Sequence, residues 1–142
     1  MPDDLAGKVA LVTGANRGIG RAIAIALAKA GVDIGVNYRT HSDEARDVCE
    51  QVKAFGCRAI AIAGDVSVAA DVSRLVATLE KQLGQATILV NNAGVTRPQP
   101  LGEITERDWD EIIAVNLKST FLVTQAILPM MHAAQWGRII NL

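Results

Sequence analysis

Three glycines follow a short apolar run near the N-terminus with the spacing of a phosphate-binding turn. The run Val9–Val12 leads to Gly14, Gly18 and Gly20, and apolar residues at helical intervals begin directly afterwards. A strand, a tight turn and a helix in this order point the free N–H groups of the helix N-terminus at a phosphate. Gly14 lets the chain leave the strand sharply, Gly18 admits a pyrophosphate, and Gly20 lets the helix pack closely on the sheet. A glycine-rich turn without chemistry is the alternative.

Two arginines near this turn indicate which dinucleotide it would bind. A site for NAD needs a carboxylate at the end of the second strand, which accepts hydrogen bonds from the ribose and repels a 2′-phosphate. The second predicted strand, Asp33–Tyr38, carries its only acid at its first residue, and Asp43 and Glu44 come later, in the next helix. Arg39 follows that strand and Arg17 lies in the glycine turn, where both guanidinium groups can bind one phosphate. The residues therefore predict NADP(H) as the cofactor, the alternative being two ordinary surface arginines.

More polar residues follow the third and fourth predicted strands. Asp65 and Val66 come after the third strand, and the motif Asn91-Asn92-Ala93-Gly94 follows the fourth. The carboxyl ends of parallel strands meet at one edge of a sheet, where ligands bind at the switch in strand order. Four loops that converge on one crevice are a stronger argument for a site than any single motif. The alternatives are that Asp65 caps the next helix and that Asn92 satisfies buried backbone groups.

A long helix is predicted after Thr105, which would cap it, and this helix contains an unusual asparagine. Asn116 lies among apolar residues, although Asn disfavours a helix interior because its side chain competes for backbone groups. Either a functional role or hydrogen bonds to a neighbouring loop would account for it. The helix is apolar on more than one side, with Phe121, Ile127 and Met131 on one of them, so it can pack both on the sheet and on a second copy.

Strands and helices alternate along the chain. The predicted strands are Lys8–Val12, Asp33–Tyr38, Arg58–Ala63, Ala86–Val90 and Arg138–Leu142. Thr40 or Ser42 is expected to cap the helix between the second and third strands. The alternation means right-handed crossovers and a parallel sheet. We therefore expect an α/β protein with a Rossmann-type doubly wound parallel sheet, strand order 3-2-1-4-5 and ending after strand five, as one dinucleotide-binding domain over residues 1–142.

The composition excludes several classes of partner. The 142 residues are 50% hydrophobic and 20% charged, which is typical of a soluble globular protein. A net charge of −1 gives no field that would attract nucleic acid or an anionic membrane. No apolar run approaches the about 20 residues of a membrane span, and the acidic N-terminus is unlike a secretory signal. We therefore expect a cytoplasmic protein, with Cys49 in the core, no disulfide and no metal site.

Together these residues resemble a known family. From about Leu5 to its last residue, the chain is similar to the N-terminal part of the classical short-chain dehydrogenases/reductases. The matching residues are Thr13-Gly14, Gly18-Ile19-Gly20, Asp65, Asn91-Asn92-Ala93-Gly94 and Asn116. The resemblance implies an oxidoreductase that uses NADP(H) to reduce a carbonyl group to an alcohol. It also implies a homotetramer with the long helix at a dimer interface.

The resemblance implies a role for each matching position as well. The backbone of Asn16–Ile19 would hold the pyrophosphate. Asp65 would accept a hydrogen bond from the adenine amino group, and the backbone of Val66 would donate one. Asn92–Gly94 would line the ribose side and brace the sheet. Asn116 would distort its helix and hold a water that feeds a proton relay.

Asn116 is the one catalytic residue that the resemblance implies within these 142 residues, and the family's Ser, Tyr and Lys are absent from them. The family uses a Ser just after the fifth strand and a Tyr-x-x-x-Lys pair farther on, with the Tyr as general acid. Tyr38 is the only tyrosine here, and the fifth predicted strand ends at the last residue, Leu142. Two interpretations stay open: the cofactor-binding half of a longer reductase, or a nucleotide-binding or structural module without turnover.

Two stretches resemble one group within the family. Gly94–Arg97 and Trp136–Asn141 look like the corresponding parts of the 3-oxoacyl thioester reductases. The resemblance implies a small carbonyl substrate carried as a thioester on an acyl carrier protein or on coenzyme A.

Overall fold

The computed structural model describes residues 5–142 and contains one five-stranded parallel sheet. The strands are β1 (Val9–Val12), β2 (Asp33–Tyr38), β3 (Ala59–Ala63), β4 (Ala86–Asn91) and β5 (Arg138–Asn141). The α-helices are α1 (Gly18–Lys29), α2 (Ser42–Lys53), α3 (Ala69–Leu83), α4 (Glu106–Ile113) and α5 (Ser119–Ala134). A short 3-10 helix, Leu101–Glu103, precedes α4, and a π-helical turn, Ala114–Lys118, joins α4 to α5.

The strand order is β3-β2-β1-β4-β5 and every neighbouring pair is parallel. β1 is central, with Val12 paired to Val36 of β2 and to Val90 of β4. All residues of β1 and β4 are buried, because helices cover both faces of the sheet. The predicted doubly wound α/β fold is confirmed. The carboxyl ends of the strands therefore share one edge of the sheet.

Each face of the sheet has its own hydrophobic core. Leu11 and Ile127 belong to the core under α3 and α5, whereas Val12 and Ile34 belong to the core under α1 and α2. Cys49 lies in the second core, as predicted, and its burial raises the pKa of the thiol to about 11. The thiol is therefore protonated and unreactive at neutral pH.

The two predicted helix caps have different outcomes. Neither Thr40 nor Ser42 caps α2, because the residue before the helix is His41, in the left-handed region at φ 63°, and no side chain caps the first turn. Ser42 then lies inside the helix and Thr40 lies one residue too early. Thr105 does cap α4: its hydroxyl oxygen accepts a hydrogen bond from the Asp108 N–H, and the Asp108 carboxylate accepts one from the Thr105 N–H.

The long helix predicted after Thr105 is a continuous helical stretch, Glu106–Ala134, interrupted by the π-helical turn. It is 29 residues long and its most apolar window has a mean hydropathy of 1.4, enough to cross a membrane by length and composition alone. The expectation that no segment meets this criterion is therefore wrong. The core helix of a soluble protein meets it equally well, and α5 packs on β4 with Val123 and Ile127 fully buried.

The outer side of this stretch is apolar and exposed. Phe121 is 60% exposed and Leu117 is 63% exposed, whereas Ile127 and Met131 are buried against the sheet. The prediction that Phe121 shares a face with Ile127 and Met131 is wrong, because offsets of six and ten residues are not whole turns at 3.6 residues per turn. β5, at the edge of the sheet, is exposed at all four residues.

Candidate functional site

A cleft of about 460 Å³ opens where the strands end, between the glycine turn and the loops after β2, β3 and β4. Its volume is in the range of small-molecule sites. Every predicted cofactor residue except Gly20 lines it. The lining residues that sequence reasoning missed are Asn37, Thr40, Gly64, Val95 and Val115. The four loops therefore converge on one crevice, as the strand pattern predicts.

The three glycines of the turn serve different steric purposes. Gly14 has φ 59°, and a Cβ atom there would lie 3.0 Å from the Cα of Ala93. Gly18 has the same φ, but nothing lies within 4 Å of its Cβ position. At Gly20 a Cβ would lie 2.5 Å from Asn92 Nδ2 and 2.6 Å from the Gly14 carbonyl oxygen. The turn is thus packed tightly against the sheet at Gly14 and Gly20 and is open at Gly18, the first residue of α1.

Thr13, which sequence reasoning missed as a site residue, joins the end of β1 to the end of β4. Its hydroxyl oxygen accepts hydrogen bonds from the N–H groups of Asn92 (3.0 Å) and Ala93 (2.9 Å). The Asn92 amide donates in return to the carbonyl oxygens of Thr13 (3.0 Å) and Gly14 (3.1 Å). The Asn92 side chain therefore satisfies backbone groups, the simpler of the two roles considered for it, while its residue lines the cleft.

Asn37 of β2 fixes the glycine turn relative to the loop after β3. It is 2% exposed, and its amide nitrogen donates to the carbonyl oxygens of Ile62 (3.3 Å) and Gly64 (3.2 Å). Its side-chain oxygen accepts a hydrogen bond from the Gly14 N–H (3.2 Å). One signal in the sequence could have revealed it: a buried strand holds an amide side chain only where partners satisfy it.

The rim of the cleft carries two cations. Arg17 and Arg39 both line it and both are exposed. Among the described residues, no carboxylate lies within 4.0 Å of either guanidinium group. Asn16 lies next to Arg17, and its amide donates to the Glu44 carboxylate at 2.8 Å. An anionic ligand would therefore meet two arginines that have no ion-pair partner in this part of the chain.

Asp65 lines the cleft, and one of its two carboxylate oxygens accepts hydrogen bonds from a neighbouring residue. One of its oxygens accepts hydrogen bonds from the N–H (2.9 Å) and the hydroxyl (2.6 Å) of Ser67. Asp65 does not cap α3, because Val68 precedes that helix and no side chain caps its first turn. The Asp71 carboxylate accepts a hydrogen bond from the Asp65 N–H (2.8 Å), which holds the pKa of Asp71 below its ordinary value. α3 thereby fixes the Asp65 backbone at the edge of the cleft.

Asn116 lies in the π-helical turn, so the local distortion expected there is present. Its side-chain oxygen accepts a hydrogen bond from the Val95 N–H (2.7 Å), and its amide donates to the Val95 carbonyl oxygen (2.8 Å). Asn116 is exposed and does not itself line the cleft, whereas Val95 does. The asparagine therefore holds the loop after β4, and its place in a proton relay stays a prediction.

Arg97, in the same loop, is neutralised by two acids of α4. Its guanidinium group lies 2.8 Å from the Asp108 carboxylate and 3.0 Å from that of Glu111. The hydrogen bonds to Asp108 and then to Glu111 raise the pKa of Arg97 further. Arg97 therefore anchors the loop after β4 to α4.

Known proteins are similar to this chain in sequence. The family model for short chain dehydrogenases matches residues 8–142. The 3-oxoacyl-[acyl-carrier-protein] reductase FabG of Staphylococcus epidermidis is 42% identical over 135 residues, covering 95% of this chain and 55% of that protein. The hydroxynaphthalene reductase-like protein Arp2 of Metarhizium acridum is 41% identical over 140 residues, covering 99% and 52%. The chain spans about half the length of the curated relatives it matches.

Solved structures agree with both fold and sequence. A putative short-chain alcohol dehydrogenase from Sinorhizobium meliloti 1021 superposes with a TM-score of 0.91 at 39% identity, covering 96% of this chain and 54% of that one. A metagenomic short-chain oxidoreductase in complex with NADP superposes with a TM-score of 0.89 at 39% identity, covering 96% and 62%. Since the family model covers nearly the whole sequence, the chain belongs to the short-chain dehydrogenase family.

Proposed function

We propose that the chain is the cofactor-binding part of an NADP(H)-dependent oxidoreductase that reduces a carbonyl group to an alcohol. One observation carries the proposal: the glycine turn opens into a cleft whose rim holds Arg17 and Arg39, and no acid ends β2. The neighbour solved with NADP supports the same cofactor.

Each part of the cofactor has a counterpart in the cleft. The N–H groups of the first turn of α1 have no partner within the helix, so they bind the pyrophosphate beside Gly18. Asp65 and Val66 bind the adenine, and Asn92–Gly94 line the ribose. The two arginines of the rim bind the 2′-phosphate with charge-assisted hydrogen bonds.

The cofactor, when bound, supplies the hydride that the carbonyl carbon receives. The alcohol also needs a proton, and these 142 residues hold one tyrosine, Tyr38, and no Tyr-x-x-x-Lys pair. Asn116 holds the loop after β4 and would position a water of the relay. We therefore expect these residues alone to bind NADPH without turnover. A nucleotide-binding module without any catalysis is the alternative, and ketone reduction by the protein would exclude it.

The substrate class we propose is a 3-oxoacyl thioester on an acyl carrier protein or coenzyme A, as used in fatty acid biosynthesis. The names of the staphylococcal relatives support it. The test is NADPH oxidation by the enzyme with acetoacetyl-coenzyme A, compared with sugar and steroid ketones. Activity on the sugars or steroids alone would refute this substrate class and leave the cofactor proposal intact.

We also propose a homotetramer in the cytoplasm, without nucleic-acid or membrane partners. The exposed apolar residues Leu117 and Phe121 on the outer side of the long helix support self-association. The near-neutral net charge of −1 supports the absence of a nucleic-acid partner.

The cofactor is tested by fluorescence titration with NADPH and NADH. Arg39→Ala should lower the preference for NADPH by about 1.5–3 kcal/mol, the scale of a hydrogen bond to a charged group. Arg46→Ala is the matched control, because Arg46 is an exposed arginine of α2 that pairs with Asp43 and does not line the cleft. Equal affinities of the unmodified protein for the two cofactors would refute the proposal, as would an equal loss of both in Arg39→Ala.

A further inference from the structure

Glu44 differs from the other acidic residues of α2. The other three acids form ion pairs with a basic side chain, and the pairs are Asp43–Arg46, Asp47–Arg21 and Glu50–Lys53. Glu44 has no such partner in the part of the chain that the structure describes. Its carboxylate instead accepts a hydrogen bond from the amide of Asn16 at 2.8 Å. Asn16 is 8% exposed and lines the cleft, so an uncompensated negative charge is bound directly to the glycine turn.

Glu44 lies in the first turn of α2, where the helix N-terminus interacts favourably with a negatively charged side chain. Asn16 directly precedes Arg17, and Arg39 lies in the short loop before α2, so the two cations and this anion flank the same turn. A charge acts over roughly a Debye length, about 8 Å at physiological ionic strength, so a carboxylate bonded to Asn16 acts on an anion held at the same turn.

We propose that Glu44, held at the glycine turn by its hydrogen bond with Asn16, moderates the charge selectivity of the dinucleotide site. The inference rests on the proposed function. The carboxylate holds Asn16 against α2, and its charge opposes any anion at the turn. The opposition is larger for NADP(H), which carries the additional 2′-phosphate, than for NAD(H). Glu44 is thus a positioning residue that moderates the preference created by Arg17 and Arg39.

The decisive variant is Glu44→Gln, which keeps an oxygen to accept the Asn16 hydrogen bond and removes the charge. We expect NADPH to bind about threefold to tenfold more tightly, in line with one partly exposed charge interaction, and NADH to change clearly less. The gain should shrink as salt is raised from low to high concentration, because salt screens the charge. Adenosine 2′,5′-bisphosphate and ADP, used as competitors, give the same comparison without the nicotinamide.

Asp43→Asn is the matched control. Asp43 is the neighbouring residue, its side chain is 96% exposed and it pairs with Arg46, so the variant changes the net charge equally but not at the glycine turn. Its NADPH-to-NADH affinity ratio should equal that of the unmodified protein. Glu44→Ala removes both charge and hydrogen bond, so it should raise the ratio while weakening both cofactors, because Asn16 is no longer held.

The outcomes separate this inference from the proposed function. A protein that prefers NADPH, but whose ratio is the same in Glu44→Gln, would overturn the inference alone. An NADPH-to-NADH affinity ratio raised equally in Asp43→Asn would also overturn the inference, since a change in net charge alone would then explain the effect. If the unmodified protein bound neither cofactor or preferred NADH, the proposed function would fail and the inference with it. Should thermal melting show that Glu44→Gln does not fold, the ratio in Glu44→Ala decides.

Discussion

At the scale of single residues, Gly20 is the most restricted position of the glycine turn. Gly20→Ala would place a Cβ 2.5 Å from Asn92 Nδ2 and 2.6 Å from the Gly14 carbonyl oxygen. A carbonyl of the backbone cannot move aside as a flexible side chain can, so we expect a loss of about 1–3 kcal/mol in the free energy of unfolding. Urea denaturation followed by circular dichroism measures it.

Gly102→Ala is the control for this substitution. Gly102 lies in the short 3-10 helix and has nothing within 4 Å of its Cβ position. The change should stay within about 0.5 kcal/mol, as for most surface substitutions. A Gly20→Ala protein as stable as the unmodified one would contradict the close packing of Gly20 against Asn92 and the Gly14 carbonyl oxygen.

Single site residues could be predicted from the sequence where their position in the fold depends on nearby residues, and not where it depends on distant ones. Gly14, Gly18 and Arg39 could be identified as cleft residues because a few neighbouring residues suffice to indicate a turn or the end of a strand. The roles of Asn37 and Glu44 could not, since their partners lie 23 to 28 positions away in sequence. Those contacts depend on the register of β2 with β3 and on the placement of α2, which only the folded chain fixes.

At the scale of elements, the start of α4 should depend on pH. The hydrogen bond from the Thr105 hydroxyl, then that from the Thr105 N–H, lower the pKa of Asp108 below its ordinary value, and Arg97 adds to this. An acid whose pKa falls on folding stabilises the fold above its unfolded pKa, and loses this effect as the pH drops through the folded pKa. Asp108→Asn should therefore destabilise the protein at neutral pH, by an amount that begins to shrink near the ordinary pKa of about 4 and disappears only below the lowered pKa of the folded state.

The measurement is thermal melting of both proteins between neutral and acidic pH. Asp110→Asn is the control, because Asp110 is an exposed acid of the same helix that makes no ion pair with another described residue. Its melting temperature should stay close to that of the unmodified protein at every pH. A constant gap between Asp108→Asn and the unmodified protein down to acidic pH would show that the carboxylate charge is not what stabilises this end.

The elements themselves were largely predictable, and their irregularities were not. All five strands were located from short apolar runs that alternate with segments of helical spacing. A parallel strand covered by helices on both faces must be apolar along most of its length, which makes it easy to recognise. The cap predicted for α2 was wrong, because the residue before the helix is His41 in a left-handed conformation and no side chain caps the first turn. The π-helical turn was not predicted in its exact form. It is held by the hydrogen bond between Asn116 and Val95, which are 21 residues apart in sequence, so local residue patterns do not reveal it.

At the scale of the whole molecule, the outer side of the long helix should mediate self-association. Phe121 is 60% exposed and Leu117 is 63% exposed, and burying such side chains between two copies contributes about 25 cal/mol per Å² of apolar surface. Phe121→Ser should therefore reduce the oligomer to smaller species in multi-angle light scattering. The expected change is therefore a fall in particle mass from that of the proposed tetramer.

Phe55→Ser is the matched control, since Phe55 is a 47% exposed aromatic residue at the end of α2, beside Lys29. It should leave the size of the particle unchanged. A monodisperse monomer of the unmodified protein would count against the assembly, and so would a Phe121→Ser protein of undiminished mass.

The burial gradient across the sheet also implies that its strands differ in local stability against opening. β1 is buried at every residue, and β5 is exposed at every residue. Amide protons of Val9–Val12 should thus exchange with solvent only by global unfolding, whereas those of Arg138–Asn141 exchange through local opening. Hydrogen–deuterium exchange followed by mass spectrometry measures the difference, and equal protection of β1 and β5 would refute it.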